Sequence, residues 1–166
     1  MCIRDRPHAV LDFFDMALAW TPYPSCFPHS FEMDYDARNR VLLVDYLLPP
    51  LKVLPRLAKV TYNENDNAYH EIVLGDDERN ALYARLLHEI PLRTFHELFT
   101  IDASVSLAAV HFRGYLFLAE NKAQPKPPAC VLQVKVDRSV FASIDLYHSD
   151  VITVFEELGG VIQPLE

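Results

Sequence analysis

With 166 residues, about half of them hydrophobic, the chain is long enough to bury a core and short enough to form one domain. Its 23 acidic side chains against 15 Lys and Arg leave a formal net charge of −8, which opposes wholesale binding to phosphate backbones. No apolar run approaches the roughly 20 residues of a bilayer span and nothing resembles a signal peptide. Cys26 and Cys130, far apart and without Cys-x-x-Cys spacing, read as reduced thiols, so a cytoplasmic protein without membrane contact is expected.

The first six letters, "MCIRDR", are set apart from fold reasoning. They can be back-translated into a sequence resembling the transposon end joined to DNA fragments during library preparation. Residues 1–6 are therefore expected to be an adapter scar, and the chain a fragment of a longer protein whose domain occupies residues 7–166. The hexapeptide carries two Arg and one Asp, so the remainder stands at about −9.

In chain order, "AVLDFFDMALAW" sets Val10, Phe13, Phe14, Met16, Ala17 and Trp20 at helical spacings and stops at "TPYP". "FEMDYD" alternates, Asp36 to Asn39 supplies a turn, and "VLLVDYLL" follows as an internal strand ended by Pro49 and Pro50. "AKVTYN" reads as a third strand, Asn63 to Asn67 as a polar loop, and "YHEIVL" as either an extended segment or a helix approach. Asp76 to about Thr100 is the longest periodic segment. Leu82, Leu86 and Ile90 fall on one line, Leu87, Leu98 and Phe99 widen it, acids lead it, and Glu89 and Arg93 are spaced as an i,i+4 pair. Pro91 removes a backbone donor there and predicts a kink or a split.

"SLAAVHFRGYLFL" and "ACVLQVKVD" then read as strands joined by an exposed loop, "KAQPKPP". The second strand puts Cys130, Leu132, Val134 and Val136 on one face and Gln133, Lys135 and Asp137 on the other, and Gly114 marks a bulge or tight bend. "DVITVFEEL" closes the chain as a helix, with Ser149 as N-cap and Gly159 as stop. Strands and helices do not alternate, so the expected fold is α+β, with a largely antiparallel sheet, one long Pro-interrupted helix and shorter terminal helices.

Chemistry-bearing motifs are sparse. His88-Glu89 and His96-Glu97 lie eight residues apart, which on a helix leaves the histidines about 80° apart around the axis. Without His-Glu-x-x-His spacing they read as surface or packing residues, and no metal site is expected. The four glycines form no phosphate loop, and no G-x-S-x-G elbow is present. Gln133-Val134-Lys135 on a strand, with Glu120 13 residues upstream, matches half of a metal-dependent nuclease centre, in which carboxylates hold Mg²⁺ and Lys polarises the scissile phosphate. A solvated strand face accounts for the same letters. Two further groupings are candidates: Arg93, His96 and Glu97 on "LRTFHELF" as a functional or interface helix, and Arg38, Arg40, Lys52, Arg56 and Lys59 as a phosphate-facing patch.

"YPSCFPHSFEMDYDARNRVLLVDYLLP", "LRTFHELFTID", "VHFRGY", "PACVL", "FASIDL" and "FEEL", in this order and spacing, resemble the region that precedes the catalytic domain in a group of Mrr-type restriction endonucleases. The likeness runs from about Val10 to Glu166. Pro91 and "GGVIQPL" depart from the pattern, and the chain stops before the family's catalytic Asp and Gln-x-Lys strand would appear. Gln133 and Lys135 align instead with a strand of the accessory region, so the resemblance assigns no catalytic, cofactor-binding or metal-binding residue here.

What the resemblance implies is a non-catalytic accessory or regulatory domain in a DNA-restriction, and hence defence, protein. Its partners would be the downstream nuclease domain of the same chain, DNA through the parent protein, and a second copy in a homo-oligomer; Mg²⁺ would belong to the nuclease domain alone. Two other readings stand beside it. One is a free-standing cytosolic protein-interaction module; the other is a nuclease working through Glu120, Gln133 and Lys135.

Overall fold

The computed structural model describes residues 6–118 and 126–163. Helix α1, Pro7–Trp20, opens on a proline, whose fixed φ suits the first helical turn. It buries Val10, Phe14 and Leu18, spaced four apart on one stripe. Strands β1, Phe31–Asp36, and β2, Val41–Leu47, form an antiparallel hairpin. Its turn is held by the Asp36 carboxylate, which accepts from the backbone N–H groups of Arg38 and Asn39 at 3.0 and 3.1 Å.

A short 3₁₀ turn at Leu51–Val53 leads to β3, Leu57–Asn63, and β4, Ala68–Val73, which pair only with each other. "YHEIVL" is thus strand. Helix α2, Asp76–Ile101, is followed by β5, Ala109–Leu116, and β6, Ala129–Asp137. The chain then forms α3, Arg138–Ala142, α4, Val151–Glu157, and β7, Val161–Ile162.

The fold is α+β. Its main sheet has the order β1-β2-β5-β6-β7, and three of the four pairings are antiparallel while β2 and β5 run parallel. That central pair makes β2–α2–β5 a crossover unit into which the β3–β4 hairpin is inserted. The insertion is why the sequence order did not show it.

Helices cover one face of this sheet. Phe95 of α2 meets Phe112 of β5 at 6.4 Å and Phe141 of α3 at 5.7 Å, Phe155 of α4 packs against His88 of α2, and α1 lies along β1. Phe14, Phe95, Phe112 and Phe155 are all essentially buried, each contributing on the order of 1.5–3 kcal/mol of apolar transfer.

Several sequence expectations are corrected. Of the kink or split expected at Pro91, the split does not occur: helix α2 is one long element with Pro91 inside it, itself buried. The missing N–H and the cost imposed on Ile90 are outweighed by Tyr83, Leu87, Ile90, Phe95 and Leu98, all drawn into the core. Leu82 lies outside that stripe, 42% exposed, because Tyr83 takes the inward position and donates its hydroxyl to the Pro49 carbonyl at 2.9 Å. Burial pushes the Tyr83 phenol up to about 12. Glu89 pairs backward with Arg85 at 2.7 Å and not forward with Arg93.

In β6 the register shifts opposite Gly114 and Tyr115, leaving Val131 as an extra residue. The bulge moves Cys130 beside Tyr115 on the open face, away from Leu132, Val134 and Val136. Gly114 is required there for a second reason: a Cβ would lie 2.5 Å from the Leu48 side chain. The N-cap of α4 is Asp150, whose carboxylate accepts from the Thr153 N–H at 3.1 Å, and not Ser149. Gly159 ends the helix at φ +75° as expected. Of "KAQPKPP", residues 122–125 lie outside the described residues, as does Glu120.

Candidate interaction face

Among the described residues no helix covers the second face of the main sheet, and strand register arranges its side chains in rows. Glu32, Asp45, Arg113 and Gln133 form one row across β1, β2, β5 and β6, and Asp34, Leu43, His111 and Lys135 the next. Glu32, Asp34, Gln133 and Lys135 are exposed, while Asp45, His111, Arg113 and Tyr115 are half-buried. In the first row Arg113 clasps Asp45 through two parallel bonds, Nε to Oδ1 and Nη2 to Oδ2, each 2.6 Å.

His111 lies between Leu43 and Lys135 in the second row. Burial, then the charges of Arg113 and Lys135, hold its imidazole below the ordinary value, with Asp45 pulling the other way. The unfolded chain therefore binds a proton more readily than the folded one, and stability is lost as pH falls below about 6.5. The urea midpoint is expected to drop from about pH 7.5 to about pH 5, and to drop less in His111→Gln. An identical decline in both chains would show that His111 is not the group responsible.

The residues singled out in the sequence are not brought into one site. Gln133 and Lys135 lie on the open face, opposite Arg113 and His111. The Arg93 guanidinium sits 4.7 Å over the Tyr23 ring and 4.0 Å from Glu97, so this pair pins the connection between α1 and β1 to α2. His96 turns from them to an exposed position on the rim of a separate cavity with Phe141 and Tyr147.

The basic stretch divides. Arg38 and Arg40 lie in the turn before β2, where Arg40 donates to the Val105 carbonyl at 3.2 Å. Lys52 and Arg56 lie beyond the other end of β2, roughly 20 Å away by strand rise, and Lys59 is within β3. The five cations are thus divided between the two ends of β2 and strand β3.

Sequence reading missed Asp102 and Arg138. Asp102, at the C-terminus of α2, accepts from the backbone N–H groups of Ser106 at 2.9 Å and Leu107 at 2.8 Å, and pairs with the Arg138 guanidinium. Arg138 also donates to the Leu107 carbonyl at 2.9 Å and covers the Phe99 ring. An acid directly after a long helix and a basic residue directly after a strand were the available signals, but 36 residues separate them.

Among the described residues no group of three or more His, Cys, Asp or Glu is placed to hold a metal ion, and no helix is long and apolar enough to cross a membrane. Comparison with protein-family models, curated proteins and solved structures returns no match.

Proposed function

We propose that the chain is a non-catalytic accessory domain of a restriction-type DNA endonuclease, whose nuclease domain follows it in the parent protein and supplies the Mg²⁺ chemistry. The observation that carries this reading is the Asp45–Arg113 clasp. In the row of Gln133, where a nuclease centre would present a carboxylate to a metal ion, Asp45, the row's carboxylate nearer to Gln133, is already neutralised by a guanidinium through two short bonds.

Uncovered apolar side chains support a role in association. Phe13, Met16 and Trp20 form one stripe along α1, with Trp20 83% exposed, and Val60, Tyr62, Tyr69 and Val73 stand exposed on the β3–β4 hairpin. A two-stranded hairpin is marginal in water without a further surface to pack on. The same features would serve a free-standing interaction module, so the complete gene separates the two readings: a nuclease domain encoded downstream is expected, and a stop codon in its place would favour the free-standing module. The purified chain is expected to leave plasmid DNA intact in Mg²⁺. Cleavage that disappears in Lys135→Ala would instead establish a centre built on Gln133 and Lys135, with Glu120 as the acid.

A further inference from the structure

On the open face, where β1, β2 and β5 end together, a cavity of about 400 Å³ is walled by Phe31, Glu32, Asp45, Leu47, Tyr115 and Phe117. We propose that this cavity is a binding slot for a guanidinium group, namely an arginine side chain presented by a partner protein.

Charge comes first. Asp45 and Arg113 cancel one another, whereas the carboxylate of Glu32, directly opposite Asp45 in the β1–β2 register, makes no hydrogen bond or ion pair among the described residues. Among the described residues the slot therefore carries one uncompensated negative charge and suits a monocation. The walls come next. Tyr115 and Phe117 offer ring surfaces on the side of Asp45, while the Phe31 ring turns to the other face and stacks on Tyr46, and a cation over an aromatic face is attracted by the ring quadrupole, the more so as water is excluded. Phe117 is 55% exposed, an unusual position for a phenylalanine that nothing described covers.

Donor count selects guanidinium over ammonium. Each Asp45 oxygen accepts one bond from Arg113 and keeps a further lone pair, and Glu32 adds two acceptor oxygens on the adjoining strand. Such a set of acceptors beside flat rings fits a planar fork of five N–H donors better than a compact ammonium. The acidic chain as a whole draws a basic partner toward it.

The proposal does not depend on the accessory-domain reading, because a slot for arginine could serve either a nuclease partner or another protein. Its test is a titration of the ¹⁵N-labelled chain with N-acetyl-arginine methylamide, followed by amide shifts. Saturable shifts are expected at Glu32, Asp45, Tyr115 and Phe117, with little response to the citrulline analogue, which has the same shape without the charge. Glu32→Gln is expected to weaken binding about fivefold, the worth of one half-exposed ion pair, while its spectrum elsewhere stays that of the folded chain. Equal shifts with citrulline, an affinity unchanged by Glu32→Gln, or shifts centred instead on the acidic start of α2 would overturn the assignment. A response to the lysine analogue as strong as that to arginine would overturn the choice of guanidinium.

Discussion

Replacing Asp102 by alanine is expected to lower the free energy of unfolding by about 3–5 kcal/mol, the cost of leaving a buried ionic partner alone. The Asp102 side chain is 1% exposed, and that of Arg138 26%. Its loss leaves the part-buried Arg138 charge without its counter-ion, held only by carbonyl acceptors, and removes the acceptor for two backbone N–H groups, those of Ser106 and Leu107. An unsatisfied buried donor costs about 1–3 kcal/mol, and a domain of this size has only about 5–15 kcal/mol to lose.

The position is also a joint. Asp102 ends α2, and Arg138 begins α3 immediately after β6, so the clasp ties the long helix to the sheet. Arg138→Met should cost less than Asp102→Ala, because a methionine still covers Phe99 and the carboxylate keeps its two backbone donors. Urea unfolding of both variants measures this. A loss below about 1 kcal/mol for Asp102→Ala, the size of an exposed pair, would mean the clasp is not formed in solution.

Phe95→Ala is the second large effect, expected to cost about 3–5 kcal/mol, while its neighbour His96→Ala is expected to stay within about 0.5 kcal/mol of the parent. Phe95 is 0% exposed and stands between Phe112 of the sheet and Phe141 of α3. Removing it would open a cavity at the centre of the layer of helices packed on the sheet. His96, one residue on and 100° further round the helix, is exposed. Thermal unfolding of the two variants side by side decides the matter, and similar losses would show that α2 is rotated from the described orientation.

"LRTFHELF" illustrates how much of the site the letters carried. Their helical spacing is enough to bring Arg93 to Glu97, because i,i+4 neighbours meet on any helix. It could not foretell that Tyr23, 70 residues earlier, would lie beneath Arg93, since that contact depends on how the segment after α1 folds back over α2. Nor could it show that Asp45 and Arg113 would meet: they are 68 residues apart and face each other only because β2 and β5 run parallel in register. The five basic residues from Arg38 to Lys59 show the opposite case, being close in sequence but carried to the two ends of β2 and into β3.

What the sequence determined by itself is local. Period-two alternation defined β1 and β6, period 3.6 defined α1 and α2, Asp36 and Asn39 shaped a turn, and the acids of Asp76 to Glu78 marked a helix start. Each rests on interactions within a few residues, where chain geometry leaves little choice. Tertiary structure decided the parallel pairing at the sheet centre, the continuity of α2 through Pro91, the bulge that turns Cys130 outward, and the gathering of Glu32, Asp45 and Tyr115 around one cavity. These depend on which distant surfaces meet, and burial of the shared core, whose free energy exceeds any single local preference, makes that selection.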